Sequence, residues 1–172
     1  MNDTTEITVW PGMGVEIAAD RRRTWVARAA SLADGRVVVE LLDPIPGTGD
    51  AAVPLLVSWS GQWMVDTIAL DPRSPSATLL DPLKAGGMSL RLADAIGMAT
   101  AHGAFQDLLA AGRLRVRGHD ALDRAAAQAQ ERKLAGSRAV DRYAGVDQAA
   151  LVAAELAVWV LDDSMNPASN VW

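Results

Sequence analysis

The alternation of apolar and polar positions predicts that the chain begins with three short strands. The segments MGVEIA (13–18), TWVARAASL (24–32) and VVVELL (37–42) have the apolar and β-branched content typical of strands. Charged residues separate the first two segments, and Asp34-Gly35, between the second and the third, is a hairpin signal. These residues therefore predict an antiparallel meander.

The remainder of the chain alternates between helical and extended patterns. The predicted helices cover 51–63, 75–84, 94–111 and 120–132, and a last helix follows Asp147 and ends near 161. The predicted strands cover 65–70, 89–92, 114–117 and 138–143. Three antiparallel strands followed by this alternation are typical of a ribonuclease-H-like α/β fold, a mixed sheet with helices on both faces. We expect an irregular arm (1–12), one domain (13–162) and a loose tail (163–172).

Composition narrows the class of protein. The chain has 172 residues, half of them apolar, which suffices for one core. It contains no cysteine, which excludes disulfides, thiolate metal sites and a cysteine nucleophile. The first ten residues lack the basic start of a signal peptide, and the longest apolar helical run, 149–161, is too short to span a bilayer. We expect an intracellular protein with no membrane association.

The charge pattern leaves two interpretations open. A net charge of -5 argues against a protein that merely coats nucleic acid, although an enzyme with acidic residues at a metal site remains compatible with it. The arginines are clustered at Arg21, Arg22 and Arg23, and again at Arg113, Arg115 and Arg117. Both clusters are either solvated charge or contacts to a nucleic-acid backbone.

Common catalytic motifs are missing from the sequence. It contains no phosphate-binding loop, no H-E-x-x-H and no G-x-S-x-G. Gly12-Met13-Gly14 lacks the third glycine of a dinucleotide site and precedes a strand. His102 lies inside a predicted helix, which favours packing, and His119 adjoins a helix start, where a structural role is favoured over a catalytic one.

Three carboxylates stand where the predicted fold brings chain segments together. Glu16 is in the first strand, Asp71 ends the strand 65–70, and Asp147 begins the last helix. If the first strand is central, neighbours the strand that ends at Asp71 and is covered by the last helix, these acids converge at one sheet edge. Converging carboxylates repel each other, and two Mg²⁺ or Mn²⁺ ions would relieve this and hydrolyse a phosphodiester.

Each acid also has a structural interpretation. Glu16 could face solvent on an edge strand, Asp71 could be a turn residue before Pro72, and Asp147 could be a helix cap. Asp141 could be a further metal ligand or the partner of an arginine. Taken together on this strand order, the metal site is the favoured interpretation.

Four segments, in this order, resemble the C-terminal nuclease domain of bacteriophage large terminase subunits, of the type found in actinobacterial phages and prophages. They begin GVEIAADRRRTW, IALDPRSPSATLL, AHGAFQDLLAAGRLRVR and VDRYAGVDQAALVAA, and the resemblance covers about residues 13 to 161. It implies a ribonuclease-H-like, divalent-metal-dependent endonuclease that cuts double-stranded DNA during genome packaging in the cytoplasm of the bacterial host. The implied partners are the terminase ATPase motor, the small terminase subunit and the portal.

The resemblance also implies roles for individual residues. Glu16, Asp71 and Asp147 match the family's three catalytic acids and would hold the two ions, with Asp141 as an additional ligand. The expected DNA contacts are Arg21, Arg22, Arg23, Arg73, Arg115 and Arg117. Glu16 replaces the usual Asp, and the ATPase motor is missing from this sequence. These departures leave open a weak or inactive module that binds DNA or a packaging partner, and a junction-resolving nuclease on the same fold.

Overall fold

A computed structural model describes residues 9–65, 67–117, 119–143 and 147–164. Most of the predicted N-terminal arm and C-terminal tail lies outside this range. A seven-stranded mixed sheet forms the centre, with the strand order β6-β5-β1-β2-β3-β7 and with β4 paired to β2. Its strands are β1 (Gly12–Ile17), β2 (Arg23–Ser31), β3 (Val37–Leu41), β4 (Ile45–Pro46), β5 (Thr67–Leu70), β6 (Leu90–Leu92) and β7 (Leu114–Arg117).

The predicted meander is confirmed. Strand β1 pairs antiparallel with β2, and β2 pairs antiparallel with β3. Gly35 has φ +80°, a left-handed conformation that suits the tight turn between β2 and β3. Strand β5 lies parallel beside β1, as predicted, so β1 is central and the ends of β1 and β5 meet at the same edge of the sheet.

Helices cover both faces of the sheet, which confirms the predicted fold class. One face carries α1 (Gly49–Trp63), a 3₁₀ helix (Pro75–Leu79) and α2 (Leu80–Ala85), and the other carries α3 (Ala95–Ala110), α4 (Asp120–Ala127) and α5 (Ala149–Ser164). The α3 helix begins where it was predicted to begin, and Asp94 caps it, because its side chain accepts a hydrogen bond from the Gly97 N–H at 2.8 Å. None of the described helices is long and apolar enough to cross a membrane.

Two small residues of β1 allow α5 to approach the sheet closely. A Cβ atom placed on Gly14 would lie 2.1 Å from the carbonyl oxygen of Ala153, and one on Gly12 would lie 2.5 Å from that of Ala157. Both separations are far below van der Waals contact. The Gly-Met-Gly pattern therefore serves helix-sheet packing, and the next residue on that face of β1 is Glu16.

The sequence prediction was only partly right over residues 128–143, where the strand predicted for 138–143 is present at 138–140 and the end of the preceding helix was wrong. The helix predicted to reach 132 ends at Ala127, and a hairpin follows that consists of β8 (Glu131–Leu134) and β9 (Ser137–Val140). Ala135 (φ +49°) and Gly136 (φ +78°) form its tight turn. A turn with positive φ at both central positions favours Asn or Asp before Gly, so Ala135 gave little hairpin signal. The chain leaves the ladder after Val140, and residues 141–143 form a loop.

Candidate active site at the ends of β1 and β5

Glu16 and Asp71 lie side by side on the face of the sheet that α5 covers. Gly14 of β1 is in register with Ala69 of β5, so residues two positions further along point to the same face. Their residues retain only 1% and 6% of their accessible surface. Two carboxyl groups withdrawn from water need hydrogen-bond donors or counter-charge to be stable. The structure thus brings together two of the three predicted acids.

The counter-charge comes from Arg142, a residue that no sequence motif marks. Its Nη1 donates to Oε1 of Glu16 at 2.7 Å, and its Nη2 donates to Oδ2 of Asp71 at 2.5 Å. Arg142 is itself 8% exposed. A planar guanidinium that contacts two acids through two nitrogens is a strong and directional arrangement. The only signal in the sequence was an arginine next to Asp141, within a segment that resembled a strand.

Two serines complete the surroundings of Glu16. The Ser76 hydroxyl lies 3.0 Å and the Ser74 hydroxyl 3.1 Å from Oε2 of Glu16. The Ile17 N–H donates to the Ser76 oxygen at 2.8 Å, which ties the 3₁₀ helix to the end of β1. The Arg73 N–H donates to Oδ1 of Asp71 at 2.7 Å. The Asp-Pro-Arg-Ser-Pro-Ser segment therefore supplies donors to both acids.

Burial changes the titration of Glu16. Loss of solvent raises its pKa from 4.5 to about 7, although the Arg142 charge and the serine hydrogen bonds oppose the shift. The neighbouring charge of Asp71 adds to the increase. Near neutral pH, Glu16 is consequently close to the point at which it gains or loses a proton.

Asp147 lies near this pair but is held by other groups. Its Oδ2 accepts a hydrogen bond from Nε1 of Trp25 at 2.9 Å, and its Oδ1 accepts one from the Ala149 N–H at 3.0 Å. Trp25 is the cross-strand neighbour of Glu16. Within the described ranges, no three Asp, Glu, His or Cys side chains are grouped so that they could hold a metal. The contacts of Asp147 fit the helix-cap interpretation, and its role as a ligand stays a prediction.

Asp141 shapes the loop that carries Arg142. Its Oδ1 accepts a hydrogen bond from the Tyr143 N–H at 3.1 Å, and its own N–H donates to the Gln130 carbonyl at 2.7 Å. Such a local turn fixes the backbone on both sides of Arg142. Asp141 contacts its neighbours in the chain, and metal coordination by Asp141 stays a prediction.

The predicted DNA-contacting arginines fall into separate places. Arg21, Arg22 and Arg23 are exposed in and just after the turn that follows β1, close to Glu16 in the chain. Arg115 and Arg117 are on β7, three strands away from β1. The Arg117 guanidinium lies 5.7 Å from the centre of the Trp10 ring, on the sheet face opposite Glu16. The structure does not bring the β7 arginines to the acid pair.

A cavity of about 160 Å³ adjoins Asp71. Its lining includes three guanidinium groups, a phenol and one further carboxylate, from Arg73, Arg132, Arg142, Tyr143 and Asp94. The carboxylate is engaged as the cap of α3. Arg73 and Arg132 are exposed, and neither forms an ion pair within the described part of the chain. The cavity therefore presents positive charge beside a buried acid.

The donor set fits one divalent cation. A single guanidinium reaches both Oε1 of Glu16 and Oδ2 of Asp71, so these oxygens are close enough to share one cation. Carboxylate oxygens are the ligands that Mg²⁺ and Mn²⁺ prefer. Such an ion would take the place of the Arg142 guanidinium. The described residues supply no third acid at this position, so the two-ion arrangement expected from the sequence stays a prediction.

Comparisons with known proteins identify the fold. No protein-family model matches the chain, and no curated protein matches it significantly. The structure of the HK97 bacteriophage large terminase is similar, with a TM-score of 0.69 and 17% identity over 89% of this chain and 41% of that one. The large terminase nuclease of thermophilic phage G20c has a TM-score of 0.68 and 14% identity, over 87% of this chain and 80% of that one.

Two further structures were solved with metals. The G20c nuclease with bound magnesium has a TM-score of 0.67 and 12% identity, over 87% of this chain and 80% of that one. A mutant nuclease domain from bacterial virus Sf6, with manganese, has a TM-score of 0.61 and 12% identity, over 86% of each chain. This chain spans about two fifths of the HK97 protein and most of each isolated nuclease domain. At the level of the fold, the resemblance noted from the sequence is confirmed: the chain has the ribonuclease-H-like fold of phage large terminase nuclease domains. The actinobacterial type expected from the sequence stays a prediction.

Proposed function

We propose that the chain is a divalent-metal-dependent endonuclease of the large-terminase type that cuts double-stranded DNA in the host cytoplasm. The observation that carries the proposal is the pair Glu16 and Asp71, buried on one sheet face at the ends of adjacent parallel strands and sharing one cationic partner. In open α/β sheets, ligand sites favour the carboxyl ends of the strands. Two neighbours with this fold, the G20c and Sf6 nucleases, were solved with magnesium or manganese.

The residues around the pair suit hydrolysis of a phosphodiester. Glu16 and Asp71 would hold Mg²⁺ or Mn²⁺, which supplies Lewis-acid charge and a source of activated water. Arg73 and Arg132 line the adjoining cavity and would bind non-bridging phosphate oxygens through their guanidinium forks. In a packaging complex, the ATPase motor, small terminase subunit and portal would be the partners.

Cleavage of supercoiled plasmid in Mg²⁺ or Mn²⁺ tests the proposal. We expect the intact chain to nick and linearise the plasmid, and we expect Asp71→Asn to lose at least about 100-fold in rate, because it removes a charged ligand that the reaction needs. Asp107→Asn is the matched control, since Asp107 is exposed on α3 and outside the site. No cleavage in either metal, or equal cleavage by both variants, contradicts the proposal. A comparison of cleavage rates on branched and linear DNA would distinguish a junction-resolving activity.

A second candidate is a weak or inactive module that binds DNA or a packaging partner. The observation in its favour is that all four oxygens of Glu16 and Asp71 already lie within hydrogen-bond distance of protein donors. The presence of Glu16, which is one methylene longer than the Asp usual at this position, also favours this candidate. This candidate predicts that Glu16→Asp creates or strongly increases cleavage. Robust cleavage by the intact chain that Glu16→Asp leaves unchanged removes its support.

A further inference from the structure

Arg142 occupies the position at which Glu16 and Asp71 would bind a metal. Its two terminal nitrogens contact one oxygen of each acid, and Ser76 and the Arg73 N–H serve the other oxygens. Ion and guanidinium both need the same oxygens and carry the same sign of charge. They therefore compete, and the side chain must leave its place before an ion can bind.

The same side chain also faces the cavity beside Asp71. Arg142 lines that cavity together with Arg73 and Arg132, whose guanidiniums have no ion-pair partner in the part of the chain that the structure describes. Three guanidinium groups around a space of about 160 Å³ suit a phosphate group, which accepts paired hydrogen bonds from arginine. Arg142 thus has two alternative anionic partners, the buried acids on one side and a phosphate on the other.

We propose that a DNA phosphate entering this cavity draws Arg142 away from Glu16 and Asp71, so that DNA and a divalent cation bind with positive coupling. The inference rests on the proposed function, because it takes DNA and a metal as the ligands. Without DNA, the guanidinium neutralises the acids and metal affinity is low. With DNA, the phosphate holds the guanidinium and the acids need another cation. By linkage, the metal must strengthen DNA binding by the same factor.

In this arrangement the protein without DNA binds the metal only weakly. Arg142 lies two residues beyond the end of β9, in the loop fixed by Asp141. A rotamer change would therefore let its side chain change partner while the backbone stays in place. Removal of the guanidinium should abolish the coupling and give a site that binds metal tightly whether or not DNA is present. Arg142 is therefore a positioning residue, distinct from the metal ligands.

The test is a Mn²⁺ titration, with free Mn²⁺ measured by electron paramagnetic resonance, on the full chain alone and with a saturating phosphorothioate duplex that resists cleavage. Asp71→Asn with the same duplex gives the Mn²⁺ bound by the DNA itself. For the intact chain we expect DNA to tighten Mn²⁺ binding about tenfold or more. For Arg142→Ala we expect tight binding without DNA and less than about a twofold effect of DNA.

Three outcomes decide the matter. Equal Mn²⁺ affinity of the intact chain with and without DNA overturns the coupling, even if plasmid cleavage proceeds. Unchanged coupling in Arg142→Ala overturns the role of this residue. No Mn²⁺ binding in any state, together with no cleavage, overturns the proposed function itself. Arg142→Gln, which keeps the length and the polarity of the side chain, replaces Arg142→Ala if circular dichroism shows the alanine variant unfolded.

Discussion

Two clusters of buried charge lie on the α5 side of the sheet, and they are built alike. The first consists of Glu16, Asp71 and Arg142. In the second, Nδ1 of His102 contacts Glu155 at 2.9 Å and Nε2 contacts Glu131 at 3.0 Å. Each cluster contains a glutamate that is at most 1% exposed, and each includes a group on the hairpin β8–β9 or within two residues of its end.

The two clusters differ in what surrounds them. Asp71 and Arg142 border a cavity with further arginines, at the ends of parallel strands. Glu155 points from the middle of α5 to His102 of α3, and its Oε2 has no hydrogen-bond partner among the residues that the structure describes. Burial raises the pKa of Glu155, and hydrogen bonding to Glu155 raises that of His102 to about 9. A buried ion cluster therefore does not by itself identify a functional site. Its position at the ends of parallel strands and an adjoining cavity identify it.

The largest expected effect comes from removing the cation of the first cluster. Arg142→Ala leaves two buried acids without counter-charge, which costs about 3–5 kcal/mol of unfolding free energy. Mn²⁺ at about 100 times its dissociation constant should restore about 2.7 kcal/mol. Urea unfolding followed by circular dichroism, with and without Mn²⁺, measures both quantities.

His102→Ala is the matching change in the second cluster. It also leaves a buried glutamate without its cation, so we expect a loss of similar size. Mn²⁺ should restore none of it, because the glutamate left without its cation, Glu155, is fully buried between α5 and α3. Equal recovery by Mn²⁺ in both variants would remove the distinction between the clusters.

The pH dependence of stability should show an upper decrease from His102, and a lower decrease to which Glu16 and Glu155 both contribute because burial raises the pKa of each. The pKa of His102 is raised from 6.5 to about 9, so its stabilising contribution is complete below pH 6.5 and is lost as the pH rises through 9. The pKa of Glu16 is raised from 4.5 to about 7, so its stabilising contribution is complete below pH 4.5 and is lost as the pH rises through 7. Urea unfolding from pH 4 to pH 10 should show both decreases. If the double variant His102→Leu with Glu155→Leu still loses stability as the pH rises from 6.5 through 9, the assignment of that decrease to His102 is wrong.

A smaller effect is expected from single arginines at the cavity. Arg73→Ala should weaken binding of duplex DNA and reduce the salt dependence of the association constant by about one phosphate contact, a change of roughly 0.9 in the log–log slope. Lys84→Ala removes one exposed charge from α2, on the opposite face of the sheet, and should leave the slope unchanged. Fluorescence anisotropy at several salt concentrations measures the slopes. Equal slopes for both variants would exclude Arg73 from the contact surface.

The smallest effect is expected where the second cluster is replaced as a whole. His102→Leu combined with Glu155→Leu exchanges a buried ion pair for apolar side chains, which is often neutral or stabilising. At pH 7 we expect a change within about 1 kcal/mol and unaltered plasmid cleavage. Loss of cleavage by a folded double variant would mean that the second cluster takes part in function.

Local patterns were enough to predict much of the sheet. The meander follows from β-branched runs and the Asp34-Gly35 turn, and β5 follows from an apolar run that ends at Asp71. The face on which Glu16 lies was harder to predict, because alternation in a strand also permits a solvent-facing Glu. The two glycines that precede it on that face mark the side on which α5 packs. Small residues in alternation with Glu16 were therefore an available but unused signal.

The residues that form the site were harder to predict from the sequence. Arg142 acts through contacts with residues more than seventy positions away, and no local pattern encodes such a pairing. The hairpin that precedes it has charged strands and an Ala-Gly turn, so helical propensity extended the predicted helix too far. Asp147 was grouped with Glu16 and Asp71 because it starts α5. Its side chain instead bonds to Trp25 and to its own helix.

The most direct test of the account is a crystal structure of the chain with Mn²⁺ and duplex DNA, recorded with anomalous scattering at the manganese edge. We expect an anomalous peak in contact with Oε1 of Glu16 and Oδ2 of Asp71, with the Arg142 guanidinium turned into the cavity against a phosphate. A structure that holds DNA and Mn²⁺ elsewhere, with Arg142 still bonded to both acids, would contradict it.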